Sequence, residues 1–210
     1  MGCTATDVIG ALRAGAAAVS AHRDELIQLD RVIGDADHGE NMDRGFRAVV
    51  SKLDTAVPET PGAVLKQVAT TLISTVGGAS GPLYGTAFLR AAAAVGDALE
   101  LDGPAVAAAL QAGLDGVVAR GKAVAGDKTM VDALIPAVDA AKAAAADGAG
   151  PARVLAVAAE AAKSGAEATE PLVARKGRAS YLGERSAGHV DPGARSTALL
   201  LSAFVESRSV

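Results

Sequence analysis

The sequence contains one cysteine, no tryptophan and 2% aromatic residues in 210 positions. Cys3 cannot form an internal disulfide, which fits a reducing compartment such as the cytoplasm. The scarcity of aromatic side chains argues against surfaces that stack bases, and the net charge of −4 creates no basic field for nucleic acid or anionic lipid. No uninterrupted apolar run is long enough to cross a bilayer. We therefore expect a cytoplasmic protein that binds neither nucleic acid nor membrane.

Sequence patterns typical of β-strands are also scarce. Hydrophobic residues make up 50% of the chain and recur at the spacing of a helix. Apolar side chains at steps of three and four residues form stripes, as in Leu65, Val68, Leu72, Ile73 and Val76. This spacing is the period of a helix and not the two-residue period of a strand. The pattern predicts an all-α fold of about eight helices.

The residues between the apolar stripes are typical of helix ends. Pro104 and Pro151 follow glycines and stand where a first helical turn begins. Thr129 and Asp132 have the spacing of a capping box before an apolar run. No linker-like composition divides the chain, so we expect a single domain over residues 1–210.

Four stretches interrupt the helical pattern with glycine and polar residues. A helical bundle could be closed by short, ordinary loops, so these stretches indicate a site at one end of the bundle. They read "GDADHGEN", "GGASGPLYGT", "RGKAVAGDKTM" and "KGRASYLGERSAGHVDPGARST".

The first stretch and its approach hold three carboxylates, Asp30, Asp35 and Asp37. Three carboxylates held close together repel one another unless a cation lies between them, and hard oxygen ligands favour Mg²⁺ or Ca²⁺ over zinc. A calcium EF-hand counted from Asp35 fails, because Glu40 stands where glycine is needed and Phe46 where the last carboxylate is needed. A magnesium site and a solvated acidic loop both remain compatible with these residues.

The second stretch, residues 77–81, leads a glycine-rich turn into an apolar helix. Such a turn presents free backbone N–H groups to an anion such as phosphate, with Ser80 adding a hydroxyl; alternatively, Ser80 is an ordinary N-cap. The third stretch almost matches a phosphate-binding P-loop over 116–123, but Ala123 replaces the hydroxyl residue that would bind Mg²⁺. We therefore interpret Gly121 as a helix C-cap that also lets a ligand approach the backbone.

The last stretch supplies positive charge beside glycines: Lys176, Arg178, Arg185 and Arg195. Arginine is the natural partner of phosphate through paired N–H donors, although single arginines in loops are usually solvated. An acidic metal loop, an anion-binding turn and an arginine-bearing loop together indicate a Mg²⁺–nucleotide site.

These motifs, in this order over roughly residues 25–200, closely resemble the nucleotide-binding subunits of dihydroxyacetone kinases. The resemblance implies a barrel of eight amphipathic antiparallel helices with the nucleotide, ADP or ATP, at one end. It implies two Mg²⁺ ions held by Asp30, Asp35 and Asp37. It further implies nucleotide contacts from His38, Gly39, Glu40, Asn41, Ala79, Ser80, Gly121, Met130, Arg178, Asp191, Pro192 and Gly193. Arg178 is also the candidate for stabilising charge during phosphoryl transfer.

The family exists in two forms, and the resemblance is to the small subunit of the three-subunit form. In that form Mg²⁺-bound ADP is a carrier: a phosphohistidine protein of the phosphotransferase system phosphorylates it, and a separate subunit holds dihydroxyacetone. The resemblance therefore implies a kinase subunit that is inactive without its substrate-binding partner. Two alternatives remain: an ATP-dependent kinase subunit for dihydroxyacetone or another short ketose such as erythrulose, and a regulatory protein whose nucleotide state a transcription regulator reads.

Overall fold

The computed structural model describes residues 2–206, with no side-chain description for Glu206. Met1 and residues 207–210, the two ends of the expected domain 1–210, lie outside the described residues. Within the described range there are nine α-helices: α1 Ala5–Ala21, α2 Arg23–Ile33, α3 His38–Thr55, α4 Pro61–Thr75, α5 Ser80–Val95, α6 Gly103–Gly121, α7 Met130–Ala146, α8 Pro151–Glu167 and α9 Pro192–Glu206. A short 3₁₀ segment, Arg178–Ser186, lies between α8 and α9.

Several helices begin at side chains that accept a hydrogen bond from the first turn. Thr129 and Asp132 form the predicted capping box of α7, and Thr4 and Asp7 form a second one at α1. The predicted starts at prolines are also confirmed, because Pro104 and Pro151 both stand in the first turn of their helices.

Eight of the helices form a closed ring. In chain order, from α3 to α9, each helix packs on the next; α3 also packs on α1, and α9 returns to α1. Helix α2 stands outside the ring and packs mainly on α3. The prediction of an all-α barrel of about eight helices is confirmed, and α2 is the additional ninth.

The ring places alternate loops at opposite ends, because neighbouring helices joined by short loops run antiparallel. The loops α2–α3, α4–α5 and α6–α7 therefore share one end, which we call the site end. The longer α8–α9 connection returns to this end, because Ser196 near the start of α9 contacts His38 at the start of α3. Each of the four glycine-rich stretches overlaps one of these loops and runs into an adjoining helix. At the far end, the two-residue strands β1 (Cys3–Thr4) and β2 (Glu100–Leu101) pair antiparallel, and they are the strands found in the described part of the chain.

The apolar stripes face the interior of the ring. On α4 the predicted stripe buries Val68 and Leu72, and Val76 is buried just after the helix. Ile73 does not join them, because it is 48% exposed. Instead it lies over α5 at Gly85, where an added Cβ would come within 2.3 Å of the Ile73 side chain. None of the helices in residues 2–206 combines the length and apolar character that a membrane crossing requires.

Candidate functional site

A cleft of about 560 Å³ opens at the site end of the barrel. All four glycine-rich loops contribute to its walls. Of the fifteen residues predicted from the sequence, twelve line it: Asp30, Asp35, Asp37, His38, Ala79, Ser80, Gly121, Met130, Arg178, Asp191, Pro192 and Gly193.

The acidic loop brings its three carboxylates together at the edge of this cleft. Asp30, Asp35 and Asp37 each offer an oxygen, and the three oxygens lie within 4.8 Å of one another. The loop turns around Asp30, whose Oδ2 accepts the amides of Asp37 at 2.8 Å and His38 at 3.1 Å. Between the other two carboxylates, Ala36 has a left-handed φ of +63°, a strained conformation of the kind that functional sites retain. This compact, all-oxygen donor set fits a hard divalent cation such as Mg²⁺.

Arg178, on the connection between α8 and α9, forms an ion pair with one of these carboxylates. Its Nε lies 3.0 Å from Asp35 Oδ2 in an ion pair, with 70% of the arginine side chain exposed. Such an exposed ion pair contributes about 1 kcal/mol at most, so little free energy opposes a move of the guanidinium to another anion. A phosphate in the cleft would therefore meet both the acidic loop and a mobile positive charge.

The glycine-rich turn before α5 has the arrangement that favours an anion. Gly78 has a φ of +64°, and the N-cap position is taken by Ala79, which makes no side-chain bond to the first turn. Ser80 is the first helical residue, and its hydroxyl instead meets His38 Nδ1 at 3.1 Å. The N-cap alternative for Ser80 is therefore wrong, and the first-turn N–H groups of α5 have no side-chain cap.

His38 joins three elements at the floor of the cleft. Its Nε2 meets the Ser196 hydroxyl at 2.9 Å, and Tyr84 reaches the same hydroxyl at 2.7 Å and that of Thr197 at 2.9 Å. Burial lowers the pKa of His38, although nearby carboxylates oppose the change, and burial raises the pKa of Tyr84 to about 12. At neutral pH the network is therefore uncharged. The sequence offered no signal for it, because His38 and Ser196 are 158 positions apart.

Asp191 stands at the start of α9 and faces the cleft. Its Oδ2 accepts the amide of Ala194 at 2.7 Å, and its own amide donates to Thr169 Oγ1 at 2.9 Å. Burial raises the pKa of Asp191 to about 7, opposed by the Ala194 amide and by the nearby Lys128. The predicted turn at 191–193 is thus a helix start with a half-buried aspartate.

Three predicted nucleotide-contacting residues lie away from the cleft wall. Gly39 packs against α2, where an added Cβ would lie 2.2 Å from the carbonyl oxygen of Arg23. Glu40 pairs with the guanidinium of Arg23 at 2.8 Å, and Asn41 Oδ1 accepts from Arg44 at 2.5 Å. These three residues lie outside the cleft lining, and their contacts with a nucleotide stay a prediction.

The interpretation of Gly121 as a C-cap is wrong by one position. Gly121 is the last residue of α6, and the cap is Lys122, with a left-handed φ of +55°. Gly121 nevertheless lines the cleft, and an added Cβ there would come within 3.2 Å of Leu83. The site also includes Lys176, which the sequence singled out for its charge, and residues that the sequence did not single out, notably Tyr84, Arg120 and Lys128.

Comparison with known proteins gives consistent matches. The model of the DAK2 domain family matches residues 32–206. The chain is 47% identical over 182 residues to the PEP-dependent dihydroxyacetone kinase, ADP-binding subunit DhaL, of Escherichia coli, covering 87% of each chain. It is 41% identical over 184 residues to the L-erythrulose 1-kinase of Mycolicibacterium smegmatis, covering 87% of this chain and 32% of that one.

A solved structure shares the fold. It is the crystal structure of the dihydroxyacetone kinase from C. freundii in complex with AMP-PNP and Mg²⁺. The TM-score is 0.74 at 27% identity, and the match covers 95% of this chain and 33% of the longer one.

Proposed function

Because this chain belongs to the DAK2 domain family, we propose that it is the ADP-binding subunit of a dihydroxyacetone kinase. In this proposal Mg²⁺-bound ADP stays in the cleft as a phosphoryl carrier. It receives a phosphoryl group from a phosphohistidine protein of the phosphotransferase system and passes it to dihydroxyacetone held on a separate subunit. The match to a separate ADP-binding subunit over 87% of both chains favours this form.

One observation carries the proposal. The carboxylates of Asp30, Asp35 and Asp37 converge within 4.8 Å at the edge of a cleft whose other wall is the uncapped start of α5. Carboxylates and helix-start amides have opposite preferences, because the first attract cations and the second attract anions. A ligand that carries both, a divalent cation on a phosphate chain, satisfies the two walls together.

The residues of the chain act by positioning and by neutralising charge. Asp30, Asp35 and Asp37 would hold Mg²⁺, proposed as two ions, which would supply positive charge to neutralise the phosphates. The α5 amides and Ser80 would hold phosphate oxygens, and Arg178 would leave Asp35 to stabilise the transferring group. The remaining cleft residues, with the His38–Asn41 segment, would enclose the nucleotide. No side chain is assigned as a nucleophile, since the acceptor lies on another subunit.

The proposed partners follow because this chain would bind the nucleotide, whereas other proteins would supply the phosphoryl group and hold its acceptor. They are the dihydroxyacetone-binding subunit and the phosphohistidine protein, both meeting the site end of the barrel. A cytoplasmic location belongs to the same proposal, since the single cysteine cannot form an internal disulfide.

Asp35→Asn tests the metal-binding part of the proposal. We expect at least a tenfold weaker affinity for ADP in Mg²⁺, measured by titration calorimetry, because the amide removes one anionic ligand. Asp54→Asn is the matched control, since Asp54 is an exposed, ion-paired aspartate on α3 far along the helix from the site end. Equal ADP affinity in the two variants would indicate that the three aspartates form a solvated acidic loop and not a metal site.

A second candidate is an ATP-dependent kinase subunit for a short ketose. It is favoured by the 41% identity to the L-erythrulose 1-kinase, which is close to the identity with the carrier-type relatives. The discriminating experiment supplies the substrate-binding subunit and labelled ATP. Consumption of free ATP one for one with product supports this candidate, whereas turnover with a phosphorylated protein donor and catalytic nucleotide supports the carrier. A stable complex with a transcription regulator and no phosphoryl flux would support the regulatory alternative.

A further inference from the structure

Lys128 is a buried lysine whose surroundings differ from those of the other cations in the cleft. It is 1% exposed and has a left-handed φ of +61°. Its Nζ donates to the backbone carbonyl oxygens of Thr169 at 2.7 Å, of Glu170 at 3.2 Å and of His189. Burying an ammonium group costs free energy unless its donors are satisfied. The three carbonyl oxygens offset that cost for Lys128.

The three carbonyls use the whole donor capacity of the side chain. An ammonium group has three N–H donors and no acceptor, and each carbonyl takes one. Lys128 therefore retains no donor for a phosphate, although it lies in the cleft wall. Its charge acts on the protein backbone and not directly on a ligand.

The carbonyls belong to the two ends of one long connection. Thr169 and Glu170 follow α8, and His189 precedes α9, so Lys128 closes the neck of the loop that runs from residue 169 to residue 189. Two backbone bonds reinforce this neck: the amide of Gly188 donates to Glu170 at 2.8 Å, and the amide of Arg175 donates to the carbonyl of Asp127 at 3.0 Å. We call the segment 169–189 the neck loop.

The neck loop delivers functional groups to the cleft on both sides of its closure. Arg178 lies within the loop and contacts Asp35, while Asp191 follows the neck directly and binds back to Thr169 through its amide. The loop has no α-helix of its own within its length; its 3₁₀ segment, Arg178–Ser186, packs on α2, and its two ends meet at the neck. The neck is therefore one of the two anchors that hold Arg178, and the one that lies beside Asp191.

We propose that Lys128 is a positioning residue for nucleotide binding: by closing the neck of the 169–189 loop it sets Arg178 and the 191–193 turn against the cleft. The inference rests on the proposed function for the identity of the ligand. The local role of Lys128 in the neck does not depend on that identity.

The test is a double-mutant cycle between Lys128 and Arg178. Lys128→Met keeps a similar side-chain length without the charge or the donors. We expect it to weaken ADP affinity in Mg²⁺ by about tenfold and to make the Arg178→Ala change nearly silent, at less than about twofold, because residues that act together are not additive. In the wild-type background Arg178→Ala should itself cost about tenfold.

Two controls separate positioning from a general loss of stability. Lys142→Met removes an exposed lysine of α7 and should leave ADP affinity unchanged. Val138→Ala destabilises the core of α7, and its effect on affinity should add to that of Arg178→Ala. Full additivity in the Lys128→Met background would overturn the inference, as would ADP affinity within twofold of wild type.

Hydrogen exchange gives a readout that needs no ligand. Lys128→Met should increase exchange in residues 169–189 while the helices of the barrel stay protected. If the variant instead loses its helical circular dichroism, Lys128 belongs to the global fold and the inference is wrong. A wild-type chain that binds no ADP would refute the proposed function alone, and the exchange experiment would still decide the role of Lys128.

Discussion

Asp191, a single carboxyl group in the cleft, makes the stability of the fold depend on pH. Its pKa is raised to about 7 because the side chain is buried, against an ordinary value of 3.8. Between these values the folded state binds more protons than the unfolded state, so this group stabilises the protein fully below about pH 4 and loses that contribution as the pH rises through 7.

Asp191→Asn should therefore flatten part of the pH dependence of stability. The amide cannot ionise, and asparagine caps a helix start about as well as aspartate, so the bond to Ala194 is retained. We expect the free energy of unfolding of the variant to gain on wild type as pH increases from 5 to 8, measured by urea denaturation. A constant difference across that range would show that Asp191 does not titrate there.

At the scale of helices, glycine decides how closely α7 and α8 approach. Gly165 in α8 faces α7, and an alanine Cβ there would lie 2.4 Å from the carbonyl oxygen of Asp132 and 2.8 Å from Pro136 Cγ. Gly10 in α1 offers a matched position, because an added Cβ meets nothing within 4 Å. Both glycines are inside helices, so the intrinsic helical preference for alanine is the same.

The two Gly→Ala variants should change stability in opposite directions. Gly165→Ala should destabilise the fold by about 1–3 kcal/mol through the clash with backbone. Gly10→Ala should stabilise it by about 0.5–1 kcal/mol, because alanine loses less backbone freedom on folding. Urea denaturation of both proteins provides the comparison, and a stabilised Gly165→Ala protein would contradict the close approach of α7 and α8.

Helices and loops were predictable because their signals are local. The capping box at Thr129 and the prolines at first turns act within one helical turn, and the polar loops stand out against alanine-rich helices. Two details differ from the prediction: Ile73 lies over Gly85 of the neighbouring helix and stays 48% exposed, and Lys122, with a left-handed φ, takes the cap position expected at Gly121. The helix and cap preferences of Ile73 and Gly121 carry no information about these neighbouring residues.

At the scale of the whole molecule, ring closure and the internal contacts of the site could not be read from the chain. The place of α2 outside the ring depends on packing against α3, and the Tyr84–Ser196 and Lys128–Thr169 contacts join residues far apart in sequence. The three carboxylates were candidates from their chemistry and the full set of nucleotide residues came from motif resemblance; the structure brings twelve of these fifteen residues to one cleft. Their individual contacts with a nucleotide stay a prediction.

A ligand that joins four loops should stabilise the whole fold. ADP with Mg²⁺ at one hundred times its dissociation constant should add about 2.7 kcal/mol, because it binds the folded state and not the unfolded chain. For a domain of this size that corresponds to a rise in Tm of roughly 2–4 °C for each kcal/mol. Differential scanning calorimetry with and without a chelator measures it, and a Tm that is insensitive to chelation in the presence of ADP would contradict metal-dependent binding.

The alternation of loops around the ring has a consequence for rearranging the chain. Helix α1 begins and α9 ends at the far end, beside the β1–β2 pair and away from the cleft. The α3–α4 connection lies at that same end, and Val57 within it is 68% exposed. A circular permutation that joins α9 to α1 and opens the chain at Val57 would therefore reorder the helices without cutting a loop of the cleft. The order in which the helices are linked and the assembly of the cleft are separable properties of this barrel.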